Sequence, residues 1–471
     1  MKLFNLLFLI TLFSFSLVFA SEVAKVPNSS LGERFTSWLD AFNSGEKEKF
    51  QEFLKYFKTP SEHEIERELN FSQRTGGFEL KKIEKATSTE LIGLIQEKDS
   101  DQFARLTIEI ESEPPHLITK LDIQGINMPE EFKLERMTES QAIEALRKKI
   151  DLQAERGKFS GSILIAKNGK PIFIEAKGFA EYDKKISNRI DTKYNLGSMN
   201  KMFTAIAITQ LAQEGKLNFS DSIIKYLPDY PNPEFAQVTI HQLLTHTGGT
   251  GDIFGPEYEA NIEKLKEPKD YISLYGSRSL EFQPGSKWSY SNYGFVLLGA
   301  IVEKISGQNY YDYIQQHIFY PAGMCSSGSY WKTEETQNLA IGYSLTEGSL
   351  KHNYDFLPMR GSPAGGGYST VEDLFKFATS LLDNKLLNPE YTSLVTTGKV
   401  DLQETEKYAY GFFDQLDNGI RRFGHSGGAP GINSTLRIYP TSGYVVVVMG
   451  NFDAPAADKI ADFIGLRLPE K

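Results

Sequence analysis

Gly197-Ser198-Met199-Asn200-Lys201 opens a run, residues 202–212, whose apolar spacing predicts a buried helix. In a helix, side chains three positions apart share one face at about 5–6 Å, so the Lys201 amine comes within reach of the Ser198 hydroxyl. A free serine hydroxyl is a poor nucleophile and needs such a neighbour. The N–H groups and the positive dipole end of a helix N-terminus would also favour an oxyanion. The stretch therefore predicts a nucleophile and its base at the start of a helix.

The Ser-x-x-Lys spacing is not specific by itself. It also occurs at Ser44/Lys47, Ser222/Lys225 and Ser329/Lys332. Only Ser198/Lys201 combines a preceding small residue with a long apolar helix, so this pair is the candidate, and its assignment depends on elements elsewhere in the chain.

Composition limits the class of protein. A chain of 471 residues with 40% hydrophobic content predicts two globular domains. The net charge of −10 argues against a nucleic-acid partner, and we expect a small-molecule or peptide substrate. The single cysteine, Cys325, cannot form an internal disulfide and is expected to be a buried small hydrophobe.

Residues 1–20 have the pattern of a secretory signal peptide. Lys2 supplies the charge, residues 3–19 the apolar stretch, and Val18-Phe19-Ala20 a small-residue cleavage site. Cleavage would leave Ser21 at the start of a periplasmic or secreted protein. The alternative is an uncleaved anchor, because the stretch is just long enough to span a membrane. Membrane contact is expected only in that case.

Residues 21–127 predict a small α+β domain. An amphipathic helix over 31–57, with a break near Ser44, precedes a loop and then alternating segments such as 78–83 and 104–110. This order is similar to the NTF2-like fold, and we expect a packing or partner-docking module. A linker, residues 128–137, follows it.

The second domain is predicted over residues 138–471. Thr138 and Gln141 form a capping box at its first helix, and segments 162–167 and 171–177 flank Asn168-Gly169, the preferred pair for a tight hairpin turn. The chain ends with a strand and a closing helix, at 444–449 and 455–466. The order predicts one sheet whose strands come from both ends of the domain.

A polar loop contains Tyr290 and Asn292 and leads into an apolar helix over 295–305. A tyrosine hydroxyl beside a lysine ammonium has a lowered pKa and serves as a base near neutral pH. The asparagine amide is suited to donate to a substrate carbonyl and to orient Lys201.

Gly424-His425-Ser426-Gly427-Gly428 admits two interpretations. As G-x-S-x-G it would be a nucleophile elbow with Ser426 attacking, a fold that needs its histidine later in the chain. No histidine follows Ser426, so this interpretation fails. In the other, His425-Ser426-Gly427 is an edge-strand triplet facing Ser198, and the backbone N–H of Gly428 is the second oxyanion donor.

Three short motifs follow one another in the chain: Ser198-x-x-Lys201, Tyr290-x-Asn292 and His425-x-Gly427. In this order they resemble the serine β-lactamase and penicillin-binding protein superfamily, in its class C β-lactamase, DD-peptidase and esterase branch. Two longer stretches support the resemblance: Leu243-Leu244-Thr245-His246-Thr247-Gly248-Gly249 and Ala364-Gly365-Gly366-Gly367-Tyr368-Ser369-Thr370. The resemblance covers about residues 138 to 468.

The resemblance implies an α+β fold, with an antiparallel sheet flanked by helices, a helical lobe, and the active site between them. It implies that Ser198 is acylated while Lys201 and Tyr290 move protons. It also implies that Asn292 positions the substrate and that His425 and Gly427 form the third substrate-binding motif. The N–H groups of Ser198 and Gly428 would hold the oxyanion. Water then releases the acyl group, so no metal or organic cofactor is needed. We interpret His241 and His246 as structural rather than metal-binding.

His425 departs from the class C β-lactamase pattern, which typically has lysine there to attract a carboxylate. A histidine of ordinary pKa is mostly neutral at pH 7, so this attraction should be weaker and pH-dependent. The leading hypothesis is therefore a secreted or periplasmic serine hydrolase cleaving an amide or ester, as a D-amino-acid peptidase, amidase or esterase. The alternatives are a β-lactamase proper and a non-catalytic cell-wall or partner-binding protein.

Overall fold

The computed structural model describes residues 25–59, 63–346 and 349–470. The predicted signal peptide lies outside these residues. The chain divides into two compact units between Phe132 and Lys133, within the stretch predicted as a linker. None of the described helices has the length and hydropathy to cross a membrane.

In the part of the first unit that is described, three helices precede an antiparallel sheet of order β1-β2-β3-β4. The elements are α1 (Ser30–Ser44), α2 (Lys47–Leu54), α3 (His63–Thr75), β1 (Phe78–Ala86), β2 (Glu90–Glu97), β3 (Phe103–Ile110) and β4 (Ile118–Ile126). Helix α1 places Trp38 and Phe42 in the core, where both rings stack on Phe78. The predicted break near Ser44 is confirmed, because α1 ends there and Gly45 adopts a left-handed conformation.

Helix α3 was not expected, since the sequence predicted a loop between the amphipathic helix and the strands. Its apolar stripe is narrow: Ile65 is buried in the core, and Leu69 and Phe71 are only partly buried against it. Ser72 completes the buried face by donating to the carbonyl of Phe42. Helical periodicity is weak when polar residues occupy much of the packed face.

The second unit has its helices in the middle of the sequence and at both ends. They are α4 (Glu139–Glu155), α5 (Asn200–Gln213), α6 (Ile240–Leu244), α7 (Pro256–Asn261), α8 (Pro268–Tyr275), α9 (Asn292–Ser306), α10 (Tyr310–Ile314), α11 (Tyr320–Ala322), α12 (Val371–Leu382), α13 (Pro389–Thr396) and α14 (Ala456–Gly465). A π-helical turn, Gln315–Phe319, follows α10. The Thr138–Gln141 capping box is confirmed at the start of α4.

Strands from both ends of the second unit join in one antiparallel sheet, as predicted. The strands are β5 (Gly161–Lys167), β6 (Lys170–Lys177), β7 (Phe179–Glu181), β8 (Ile186–Ser187), β9 (Tyr194–Asn195), β10 (Tyr343–Thr346), β11 (Ser349–His352), β12 (Tyr368–Ser369), β13 (Val400–Gln403), β14 (Glu406–Tyr408), β15 (Phe413–Asp417), β16 (Ile420–Ala429), β17 (Ile432–Tyr439) and β18 (Tyr444–Gly450). Among the described strands, eight form the central sheet in the order β13-β14-β15-β16-β17-β18-β5-β6. The β5–β6 hairpin turns at Asn168 and Gly169, both at positive φ, which a tight turn of this kind requires.

The middle of this sheet is buried on both faces. Successive strand residues point to opposite faces, so Leu164 and Val447 pack with α5, α9 and α12. Ile163 and Val446 pack with α4 and α14 on the other side. Burial on both faces explains why β5 and β18 are nearly continuous apolar runs.

Strand β16 as a whole lies between β15 and β17. Its pairing with β15 ends at Gly424, so residues 425–429 have a described strand, β17, on one side only, which agrees with the expected edge position of the triplet 425–427. One expectation about this unit is wrong. Cys325 is exposed rather than buried, because it lies in a turn after α11 in which Met324 takes the core position.

Candidate active site

The Ser198 turn lies against the half-paired end of β16. Gly197–Met199 forms a 3₁₀ turn that runs directly into α5. A Cβ added at Gly427 would lie 2.0 Å from the carbonyl oxygen of Leu196 and 2.9 Å from the backbone nitrogen of Ser198. Only glycine permits this approach, which brings strand β16 to the backbone of the candidate nucleophile.

Lys201 is fully buried beside Ser198. Its Nζ lies 3.3 Å from the Ser198 hydroxyl oxygen and donates to Asn292 Oδ1 at 2.6 Å and to the carbonyl oxygen of Ala364 at 2.5 Å. Burial lowers the pKa of Lys201 to about 7, against the opposing effect of the Asp252 carboxylate. A substantial fraction of this side chain is therefore a neutral amine near neutral pH.

Tyr290 also lies at the Ser198 hydroxyl, but in a different protonation state from the one expected. Burial raises the pKa of Tyr290 well above its ordinary value, although its hydrogen bond to Ser198 opposes the shift. The Lys201 Nζ lies 4.7 Å from the centre of the Tyr290 ring. The prediction of a lowered tyrosine pKa is wrong, because burial outweighs the hydrogen bond to Ser198 and the Asp252 carboxylate raises the pKa further. Tyr290 is a protonated phenol.

Asn292 is the first residue of α9, which begins three residues before the predicted helix because Ser291 caps it by accepting from the Gly294 N–H. The Asn292 amide is held at both ends. Its Oδ1 accepts from Lys201, and its Nδ2 donates to Asp252 Oδ2 at 3.2 Å. The Asn292 backbone N–H donates to Asp252 Oδ1 at 3.0 Å. The expectation that Asn292 orients the lysine agrees with this geometry.

Asp252 and Ala364 are site residues that the sequence did not single out. Asp252 follows the glycine-rich end of the 243–249 stretch, and Ala364 begins the 364–370 stretch. Both stretches were recognised, but their contacts with Asn292 and Lys201 are formed across long sequence distances. A local sequence pattern does not predict contacts between such distant residues.

The Ser198 turn lies close to the backbone of Gly428. A Cβ added at Gly197 would lie 3.1 Å from the backbone nitrogen of Gly428, so the Ser198 turn and the Gly428 peptide are neighbours. Asn433 fixes this end of β16 by donating to the Gly427 carbonyl at 3.1 Å. The arrangement is suited to an oxyanion held by the N–H groups of Ser198 and Gly428.

His425 is a buried residue of β16 whose ring lies on the Tyr290 side, with the two ring centres 6.5 Å apart. Its Nδ1 lies 2.5 Å from the Ser426 carbonyl oxygen and its Nε2 lies 3.3 Å from the Tyr408 hydroxyl. Burial, with a smaller effect of Lys201, lowers the pKa of His425 to about 3. The expected pH-dependent attraction of a carboxylate is wrong, because the ring stays neutral through the usual pH range.

His246, from the recognised 243–249 stretch, packs against the back of Tyr290. The two ring centres are 4.3 Å apart, and His246 Nδ1 accepts from the Ser291 N–H at 3.1 Å. His241 contacts the Tyr410 hydroxyl instead, at 2.8 Å. Among the described residues there is no cluster of three His, Cys, Asp or Glu side chains that could hold a metal ion.

Comparisons with known proteins agree with this architecture. The family model described as Beta-lactamase matches residues 141–468. The chain is 35% identical to a penicillin binding protein from Bacillus halodurans. The two structures match with a TM-score of 0.62, and the match covers 66% of this chain and 98% of that one. An octameric penicillin-binding protein homologue from Pyrococcus abyssi matches with a TM-score of 0.61 at 27% identity, over 68% and 76%.

Among curated sequences, the chain is 30% identical to Protein flp of Staphylococcus aureus strain MW2 over 334 residues, which are 68% of this chain and 65% of that protein. The α+β sheet flanked by helices is the β-lactamase/transpeptidase-like fold of the structural neighbours. Because the family model covers most of the chain, this protein belongs to the beta-lactamase family.

Proposed function

We propose that the protein is a serine hydrolase that cleaves an amide or ester through an acyl-Ser198 intermediate. The observation that carries the proposal is the buried Lys201 amine, with a pKa lowered to about 7, at 3.3 Å from the Ser198 hydroxyl oxygen. A general base is most effective when its pKa lies near the working pH. Lys201 meets this condition, and Tyr290 does not.

Acylation begins when the Ser198 oxygen attacks the substrate carbonyl and its proton passes to Lys201. The N–H groups of Ser198 and Gly428 stabilise the oxyanion, a contribution of roughly 10²–10³ in turnover for one such donor. Tyr290 gives its phenolic proton to the leaving group and recovers one from the Lys201 ammonium. Water then attacks the acyl-Ser198 ester with the same groups acting in reverse. This sequence consumes one water and needs no cofactor.

The neutral His425 favours a substrate that needs no cation at the third motif. A D-amino-acid amide, a short ester, or a D-amino-acid peptide cleaved away from its free carboxylate fits this condition better than a β-lactam carboxylate does. The Bacillus halodurans relative is named a penicillin binding protein, which supports testing penicillin as a slow acylating agent. We place the protein in the periplasm or outside the cell on the strength of residues 1–20, with the first unit as a packing or docking module.

The nucleophile is tested with a fluorophosphonate probe and a fluorescent penicillin on wild type and Ser198→Ala. Ser222→Ala is the matched control, because Ser222 has the same Ser-x-x-Lys spacing but donates to the Ala236 carbonyl. We expect both probes to label wild type and the control at the peptide containing Ser198. Labelling that persists in Ser198→Ala would refute the assignment of the nucleophile.

Substrate class is tested by turnover of D-Ala-D-Ala peptides, D-amino-acid amides, short nitrophenyl esters and penicillin. We expect an amide or ester to turn over faster than penicillin. Rapid penicillin turnover would instead support a β-lactamase. Absence of labelling by both probes in a folded protein would support the non-catalytic alternative.

A further inference from the structure

A polar cavity of about 130 Å³ lies in the second unit, between the start of α5, the π-helical turn after α10, and residues 360–367. Ser198, Tyr290 and Gly428 do not line it. A cavity near 150 Å³ holds a molecule of about benzene's size, so this one is large enough for a small organic ligand.

Arg360 forms one wall of this cavity. Its guanidinium carbon lies 3.4 Å from the centre of the Tyr311 ring and 5.0 Å from that of Trp331. A guanidinium over an aromatic ring can still donate through the N–H groups at its edge. Among the described residues, no carboxylate or carbonyl accepts from Arg360, and its Nε is buried without a hydrogen-bond partner. The preferred partner of such an edge is a planar carboxylate, bound through two parallel hydrogen bonds.

Ser329, which also lines the cavity, has a second unsatisfied polar atom. The Ser329 hydroxyl oxygen is buried and has no hydrogen-bond partner. Buried polar atoms are almost always paired, because leaving one unpaired costs free energy. Because both residues line one cavity, a polar ligand that accepts hydrogen bonds would suit it.

The other walls limit the charge and shape of that ligand. Asp312 also lines the cavity, and its exposed carboxylate opposes a doubly charged anion such as phosphate. Ile314 and Phe319 provide an apolar wall, which suits a short hydrocarbon tail. Phe319 belongs to the π-helical turn, a local irregularity that often accompanies functional sites.

We propose that this cavity binds a small monocarboxylate, with the carboxylate on Arg360 and Ser329 and a short tail against Ile314 and Phe319. The segment that carries Arg360 continues to Ala364, whose carbonyl holds Lys201. The ligand would thus contact the segment 360–364, whose end holds Lys201, the candidate base. The proposal concerns binding and does not depend on the proposed hydrolase activity.

The test is a titration of the full chain with propionate, followed by calorimetry and by NMR. Propionamide, its neutral isostere, and inorganic phosphate are titrated in parallel. We expect saturable propionate binding, no saturable binding of propionamide, and weaker binding of phosphate. Equal binding of propionate and propionamide, or tighter binding of phosphate, would overturn the proposal.

Variants locate the site. Arg360→Gln should weaken propionate binding at least about tenfold, as expected for loss of a charge-assisted pair. Arg189→Gln is the matched control, because Arg189 pairs with Asp191 away from the cavity, and it should bind as wild type does. Unchanged affinity in Arg360→Gln would contradict the assignment.

Ser329→Ala provides an independent test in case Arg360→Gln does not fold. It removes only a hydroxyl that has no protein partner, so the fold should persist while propionate binding weakens severalfold. A crystal soaked with 2-bromopropionate should show anomalous bromine density beside Arg360. Density only at other sites, or unchanged affinity in Ser329→Ala, would count against the proposed geometry.

Discussion

At the residue scale, Lys201 combines complete burial with a chargeable amine. Its pKa is about 7 in the folded protein and near 10.5 in an unfolded chain. Between these values the unfolded state binds the additional proton, so the free energy of unfolding rises with pH across this window. Burial of Lys201 therefore lowers the free energy of unfolding at neutral pH. The same burial lowers the pKa of the amine, which lets it act as a base.

Lys201→Met should flatten this slope and reduce activity. We expect probe labelling of Ser198 to fall by roughly 10²–10⁴, the usual contribution of a general base. Urea denaturation at several pH values between about 7 and 10 should show a flatter pH dependence of unfolding free energy than wild type does. An unchanged slope would mean that Lys201 is not the buried group with the lowered pKa.

Asp252 should control the pH at which the protein becomes active. Its carboxylate raises the pKa of Lys201, so Asp252→Asn should lower that pKa. The rate of Ser198 labelling rises with pH as Lys201 loses its proton, and in the variant this rise should occur at lower pH. Tyr290, His246 and His425 also face the amine, but the shifts in their pKa values keep all three uncharged at neutral pH.

The plateau rate of Asp252→Asn should also fall, by roughly ten- to hundredfold, because the Asn292 amide loses its fixed orientation. Asp229→Asn, at an exposed position, is the control and should keep the wild-type profile. If the labelling rate of Asp252→Asn rises over the same pH range as that of wild type, Asp252 does not tune the pKa of Lys201.

The sequence predicted the site residues best where their contacts are local. Ser198 and Lys201 meet through helix geometry alone. The protonation state of Tyr290 was predicted wrongly, and so was the pH dependence of His425, because each depends on burial by distant segments. Asp252 was missed for the same reason, since its contact with Asn292 crosses 40 residues.

At the scale of elements, the approach of β16 to the Ser198 turn depends on Gly427. Gly427→Ala would place a methyl group 2.0 Å from the Leu196 carbonyl oxygen, so the strand or the turn must move. We expect the labelling rate to fall about 10²-fold, as for loss of one oxyanion donor. Gly125→Ala is the control, because a Cβ there meets nothing within 4 Å. A fully active Gly427→Ala would contradict the close packing.

Elements were predictable where a local signal determines them. The Thr138 capping box and the Asn168-Gly169 turn are short-range motifs, and both formed as expected. Helix α3 lacked a clear apolar period and was missed. The position of β16 inside the sheet depends on the three strands β13–β15, which extend the sheet past it. The alternation of residues within one strand does not specify which strands pair with it.

At the scale of the whole molecule, each unit draws its buried core from its own residues. Residues 133–471 expressed alone should therefore fold and keep Ser198 labelling within a fewfold of the full chain. Circular dichroism and probe labelling of this fragment test the expectation. A fragment that is folded but unlabelled would show that the first unit contributes to the site.

The sheet of the second unit takes β5 and β6 from before Ser198 and β16–β18 from the end of the chain. During translation, Ser198 and Lys201 leave the ribosome long before Gly427 and Gly428 do. A nascent chain thus carries its candidate nucleophile without an oxyanion strand. A message cut short before the codon of Gly427 should therefore yield an inert product rather than an unselective hydrolase.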